Sequence, residues 1–166
     1  MVSVKILKEA IIFKNLNDAQ LDKLAAMAVS ETHRAGTVLF KEGDIATHFY
    51  IIEEGKIALR TTVDVGPVHP AMQFTITTIT RGAAMGWSAF AEPHKYTLSG
   101  LCMEDSRLVS FEADKLRELV HQDHALGIEV MNGIVQLLAS HLKNIRVLMF
   151  AERAAAQIEE METPGM

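Results

Sequence analysis

The sequence predicts an α+β fold that is mainly β: a double-stranded β-helix, or jelly-roll barrel, with short N-terminal helices and a long C-terminal helix. Three observations predict it. Strand-sized runs rich in β-branched and aromatic residues fill the chain from about Arg34 to Glu112, at roughly 8–12-residue spacing. Turn residues separate them, at Gly36, Gly43-Asp44, Glu54-Gly55, Gly66-Pro67, Gly82 and Gly86. On both sides of this block the apolar spacing changes to that of helices. Strands so closely spaced, with no helices between them, argue for a sandwich or barrel and against βα units.

The elements follow in order. From Lys5 to about Val29 the pattern is helical: Asn17 is placed to cap, Gln20 completes a capping box, and Leu16 precedes the cap as a staple. Leu21, Leu24, Ala25 and Ala28 then repeat at helical spacing, while Ile6, Leu7, Ile11, Ile12 and Phe13 read as a second short helix or an apolar arm. Strands are expected at Thr37–Phe40, Phe49–Glu53, Ile57–Val63, Phe74–Thr80, Tyr96–Cys102 and Leu108–Phe111. The run Thr75–Thr80 mixes polar and apolar residues, as a half-exposed strand does.

A short helix at Asp114–Val120 precedes a long one, capped by Asp123 and running through His141 to at least Phe150. Met131, Ile134, Leu138, Ile145 and Leu148 fall near a heptad seam in which His141 takes one place; Ile128, Val130, Val135, Leu137 and Leu142 widen it. A helix apolar on more than one face needs more than one partner. The barrel covers one side; the other is covered either within the same subunit or by the same helix of a second copy, and length and apolar width favour a homodimer. Residues 1–150 are expected to form the domain. Residues 151–166, with one Arg against four Glu and a Thr-Pro-Gly-Met end, are expected as an acidic helical extension or frayed tail.

Composition bounds the rest. A chain of 166 residues, 49% apolar and 22% charged, suits one globular domain with a full core. The single Cys102 permits no internal disulfide and points to a reducing, cytoplasmic setting. No unbroken apolar run reaches membrane-spanning length, so no membrane association is expected. A net charge of −5 is the wrong sign for a generic nucleic-acid binder.

Arg34–Asp44, Phe49–Ile57 and Thr80–Phe90, with their glycines in the same order and spacing, resemble the opening strand and turn, the next hairpin and the phosphate-cassette entry of the cyclic nucleotide-binding domain. This is the sensory module of catabolite-activator-like regulators and of nucleotide-regulated kinases and channels. The likeness runs to about Phe150. It implies a non-enzymatic sensor that binds a cyclic nucleotide or other small anion, with no other cofactor, and signals through the long helix to a protein partner; the alternative is a ligand-free dimeric interaction or scaffold module that has lost the nucleotide pocket. DNA binding is not expected, since only a short acidic stretch follows Phe150 where a helix-turn-helix would stand.

A Gly followed by a helical turn lets backbone N–H groups approach a phosphate. Gly86, Trp87, Ser88 and Ala89 are therefore candidate ligand-binding residues, with His94, Lys95, Tyr96 and Thr97 supplying cation and hydroxyl. The bland alternative is a loop in which Trp87 and Phe90 plug the roll. Two positions depart from the family pattern: Trp87 stands where the resemblance implies a ribose-binding Glu, and His94 where it implies a phosphate-binding Arg after Pro93. Two lost charge-assisted bonds, at about 1.5–3 kcal/mol each, would weaken binding by roughly two to four decades. Thr97 matches the cassette hydroxyl. Asn144 and Arg146 are candidate base contacts or solvated helix residues, and His141 an interface histidine or a ligand contact. No metal site is expected: the histidines form no His-x-His, and the best pair, His121 and His124, shares at most a helix face without a carboxylate or Cys cluster. Cys102 has no Cys-x-x-Cys partner, and neither a Gly-x-Ser-x-Gly elbow nor a Walker loop is present, so catalysis is unsupported.

Overall fold

The computed structural model describes residues 2–64, 66–67 and 69–162; the Thr-Pro-Gly-Met end expected in the tail lies outside them. Helix α1 (Val4–Glu9) is capped by Ser3, and a 3-10 turn follows at Ile11–Phe13. Helix α2 (Asp18–Met27) starts on the expected capping box: the Gln20 N–H donates to Asn17 Oδ1 at 2.9 Å, and the Asn17 N–H donates to Gln20 Oε1 at 3.0 Å. Eight strands follow among the described residues: β1 (Val29–His33), β2 (Val38–Phe40), β3 (His48–Glu54), β4 (Ile57–Val63), β5 (Met72–Ile79), β6 (Ala84–Met85), β7 (Ser99–Cys102) and β8 (Ser106–Glu112). They form two antiparallel four-stranded sheets, ordered β1-β8-β3-β6 and β2-β7-β4-β5, the two layers of a jelly roll.

Sequence reasoning overlooked β1 and β6. In β1, Val29-Ser30-Glu31-Thr32-His33 lacks a continuous apolar run; pairing with β8, from Val29↔Ser110 to His33↔Ser106, makes it a strand. The two residues of β6 pair only with β3. The run expected to start at Tyr96 becomes a strand only at Ser99, because residues 91–98 fold as a loop that meets the β2–β3 connection at an isolated bridge between Ile45 and Lys95.

Sheet β1-β8-β3-β6 is buried on both faces in its middle strands, which explains the unbroken apolar run of β3. Phe49, Ile51, Val109 and Phe111 point to the helices and pack with Leu7, Phe13, Leu21, Leu24, Val130 and Ile134. Tyr50, Ile52 and Leu108 point the other way, into the roll, and meet Phe40, Ile57, Leu59 and Tyr96. At about 25 cal/mol per Å² of apolar burial, these two packed layers supply the main drive to fold.

Helix α3 (Ala113–Gln122) and helix α4 (His124–Glu162) are separated by Asp123. Its carboxylate accepts the Leu126 N–H at 3.0 Å and an ion pair from Lys23 at 2.6 Å. His121 and His124 therefore sit on different helices and share no helix face. The first part of α4 is core: Leu126, Val130, Ile134 and Leu137 are buried. Gly133 lets it in, since a Cβ there would lie 2.6 Å from the Ile12 Cα. From Leu138 onward the helix rises out of the core, and it remains helical through Glu162. Although no unbroken apolar run exists, the stretch 124–158 is long and apolar enough as a whole to cross a bilayer, with mean hydropathy 1.3 in its most apolar window. A third of that window is buried inside this fold.

Candidate functional site

At the candidate cassette the backbone forms a Gly-initiated turn. Gly86 ends β6 at φ 84° and starts a 3-10 turn over Trp87–Phe90. Glycine is required there twice over: by the left-handed conformation, and because a Cβ would lie 2.6 Å from the His48 carbonyl oxygen. Within the turn the Ala89 N–H donates to Gly86 O at 3.0 Å. A further anchor, which sequence reasoning missed, comes from α3: Arg117 Nη1 donates to Ala89 O at 2.6 Å, and the same guanidinium pairs with Asp114. Within the turn, Ser88 and Ala89 are buried.

The loop beyond it returns to the β2–β3 connection. It contains the cis Glu92–Pro93 peptide and His94 at φ 56°. The Ala46 N–H donates to His94 O at 2.8 Å, the Tyr96 N–H to Asp44 O at 2.9 Å and the Gly43 N–H to Tyr96 O at 2.8 Å. Tyr96 then turns inward. Its ring stacks on Phe40 at 4.1 Å, and its hydroxyl clasps the His48 backbone, donating to the carbonyl at 2.9 Å and accepting the N–H at 3.1 Å. Burial pushes the Tyr96 hydroxyl pKa upward.

Gly86, Trp87, Ser88, Tyr96 and Thr97 thus meet around one space, together with Phe40, Leu59, Met85 and Leu98, which sequence reasoning had not assigned to the site. The space measures about 10 Å³, room for roughly one water. Clefts for drug-sized ligands occupy roughly 300–1,000 Å³. No lining residue is cationic.

The remaining candidates lie elsewhere. Lys95 is exposed. His94 is half-buried, with Nε2 3.3 Å from Glu92 and Nδ1 buried without a partner among the described residues. Trp87 occupies the seam between the two cores, and its ring stands edge-on to His141 of α4 at 4.9 Å and 89°. Burial lowers the pKa of His141. Asn144 lines a separate space of about 40 Å³ with Ile76, Thr77, His141, Ile145 and Leu148. Arg146 flanks an apolar concavity on α4 formed by Leu142, Met149 and Phe150. Of the seam residues, Ile134 is buried and Met131 half-buried, while Leu138, Ile145 and Leu148 are exposed. Among the described residues no group of three or more His, Cys, Asp or Glu is placed to hold a metal.

Two antiparallel sheets, a Gly-initiated 3-10 turn and a long following helix define a jelly roll of the cyclic nucleotide-binding type. The family profile "Cyclic nucleotide-binding domain" matches residues 30–123, more than half of the chain. The chain belongs to the cyclic nucleotide-binding domain family. A cGMP-dependent protein kinase, isozyme 1, of Drosophila melanogaster is 24% identical over 119 residues, covering 71% of this chain and 15% of the kinase. The chain therefore spans a small fraction of that relative's length. Among solved structures, a candidate cyclic nucleotide-binding protein from Geobacter metallireducens aligns with TM-score 0.74 and 27% identity, covering 86% of this chain and 99% of that one. A cyclic nucleotide-binding domain from Methylobacillus flagellatus aligns with TM-score 0.76 and 17% identity, covering 98% of this chain and 87% of that one.

Proposed function

We propose that this chain is a non-enzymatic regulatory module of the cyclic nucleotide-binding class whose cassette is filled by its own side chains, and which acts as a homodimer through α4. One observation carries the reading: the space bounded by Gly86, Trp87, Tyr96 and Thr97 is about 10 Å³ and has no cation on its wall. A cyclic nucleotide carries a phosphate and a base, so entry requires Trp87 to leave the seam. Neither the implied Glu nor the implied Arg is there to compensate. The exposed Leu138, Leu142, Ile145 and Leu148 on the free part of α4, next to exposed Phe74 of β5, support a second copy as partner. A reducing cytoplasmic setting, suited to the unpaired and buried Cys102, belongs to the same reading.

A second reading has its own support. Trp87 touches both the cassette turn and His141, so a ligand that displaced Trp87 would change how α4 is held. The chain would then be a sensor for a small anionic ligand, with Thr97 at the rim and a signal carried by α4 to a protein partner. Ligand can move that equilibrium only by its differential affinity for the two states.

Thermal denaturation with cyclic AMP, cyclic GMP and cyclic dinucleotides separates the two. A ligand at one hundred times its Kd adds about 2.7 kcal/mol, or roughly 5–10 °C for a domain of this size. The closed-cassette reading expects no shift with any of them at millimolar concentration. A saturable rise of several degrees overturns it in favour of the sensor.

A further inference from the structure

The strand that borders the cassette also borders a second concavity, on the other face of its sheet. Leu59 of β4 points into the roll and lines the cassette space, whereas its neighbour Arg60 lines a groove of about 230 Å³ on the outer face of sheet β2-β7-β4-β5. Arg60 stands opposite Ser99 of β7, and Thr62 stands opposite Gln73 of β5, so strand pairing gathers these polar side chains at one place. Lys41, just past β2, brings a second cation, and Val38 and Leu101 form an apolar end.

The charges in this groove are unequal in their engagement. Glu42 is occupied: its carboxylate accepts the Thr62 N–H at 2.9 Å and the Thr61 hydroxyl at 3.2 Å. Arg60 is not. Its Nε is shielded from solvent and has no hydrogen-bond partner among the described residues. A buried unsatisfied donor is uncommon and calls for an explanation. An Arg fork of Nε–H and Nη–H matches two oxygens of a phosphate or carboxylate in bidentate fashion.

We propose that this groove is a binding site for a compact phosphate monoester. Two oxygens of the dianion take the Arg60 fork once the side chain turns its Nε–H toward the groove, and Lys41 adds the second positive charge. Ser99 Oγ already accepts the Glu42 N–H at 2.9 Å, which leaves its hydroxyl hydrogen to donate. The apolar end at Val38 and Leu101 receives the organic part of the ester. The volume excludes a dinucleotide and suits a ligand of a few heavy atoms beyond the phosphate. The site lies across the sheet from the cassette and does not depend on what the cassette holds.

The test is an NMR titration of the full chain with inorganic phosphate and with glycerol phosphate, following the Arg side-chain Nε–Hε signals and backbone amides. The expected result is a saturable shift of the Arg60 Nε–Hε signal and of the Lys41 and Ser99 amides. Glycerol phosphate should bind more tightly than inorganic phosphate, and sodium chloride at matched ionic strength should have no effect. Arg60→Gln is expected to weaken binding roughly tenfold to a hundredfold, the scale of a charge-assisted pair. Lys41→Gln, at an exposed position, tests the same site should the Arg60 variant fold poorly, and is expected to weaken binding severalfold. A linear, non-saturating shift, an equal response to chloride, or unchanged affinity in both variants overturns the proposal.

Discussion

Trp87 is the residue on which the functional reading turns, and Trp87→Ala tests it. The side chain is half-buried and packs against both cores, with its ring edge-on to His141 at 4.9 Å. Truncating a fully buried Trp costs about 3–5 kcal/mol. Half-burial scales that to about 2 kcal/mol, and the lost edge-to-face contact adds about 0.5–1 kcal/mol. A domain of this size loses roughly 2–4 °C per kcal/mol, so Tm should fall by roughly 5–10 °C. Hydrogen exchange gives the second readout. Without Trp87 the α4 amides around His141 should exchange faster, while those around Leu126 and Val130, held in the core, should not change. Trp87→Phe keeps a ring in the seam and should recover more than half of the Tm. If Trp87→Ala melts within 2 °C of the parent, or leaves exchange around His141 untouched, Trp87 neither fills the cassette nor holds the helix.

Three further outcomes are expected. Gly86→Ala forces a side chain into a left-handed conformation and against the His48 carbonyl; that conformation alone costs about 1–2 kcal/mol, so chemical denaturation should show a loss above 2 kcal/mol. Tyr96→Phe strips the hydroxyl that satisfies both the N–H and the C=O of His48; leaving such groups unpaired costs about 1–3 kcal/mol, while far-UV circular dichroism should stay unchanged. Burial holds the folded-state pKa of His141 below its ordinary value near 6.5, so the unfolded chain takes up the proton first as pH falls. Its stabilising contribution is complete above that value and is lost below it, and Tm measured from pH 8 to 5 should decline with a slope that His141→Gln reduces. Asp123, whose pKa the Lys23 hydrogen bond holds below 3.8, contributes over a separate and more acidic window.

The N-terminal capping box, the buried β3 run and the order of glycine turns were legible because each depends on neighbours within a few residues. Asn17 and Gln20 satisfy each other's backbone N–H groups whatever else the chain does. Strand β1 was not legible, since its ladder partner β8 lies some eighty residues on. Lys95 illustrates the same limit in the site. On the sequence it is the natural cation of the anion loop, yet the backbone, held through Ala46 and Asp44, turns Tyr96 inward and leaves Lys95 in solvent. Arg117 gave no sequence signal, because its role is a bond to a carbonyl across the fold.

The sequence by itself determined the jelly-roll class, the place of the Gly86 turn and the tryptophan that follows it, since periodicity, turn chemistry and residue identity are local properties. Tertiary structure decided what that tryptophan does. A tryptophan at that turn could face solvent, stack on a ligand or fill the roll. The choice follows from what surrounds it: Phe40 of β2 stacked on Tyr96 of the loop before β7, the His48 backbone clasped by the Tyr96 hydroxyl, and His141 brought down by a helix that Gly133 allows against Ile12. Close packing from several elements leaves about 10 Å³ at the candidate cassette, and the half-buried indole ring lines that space while packing against both cores.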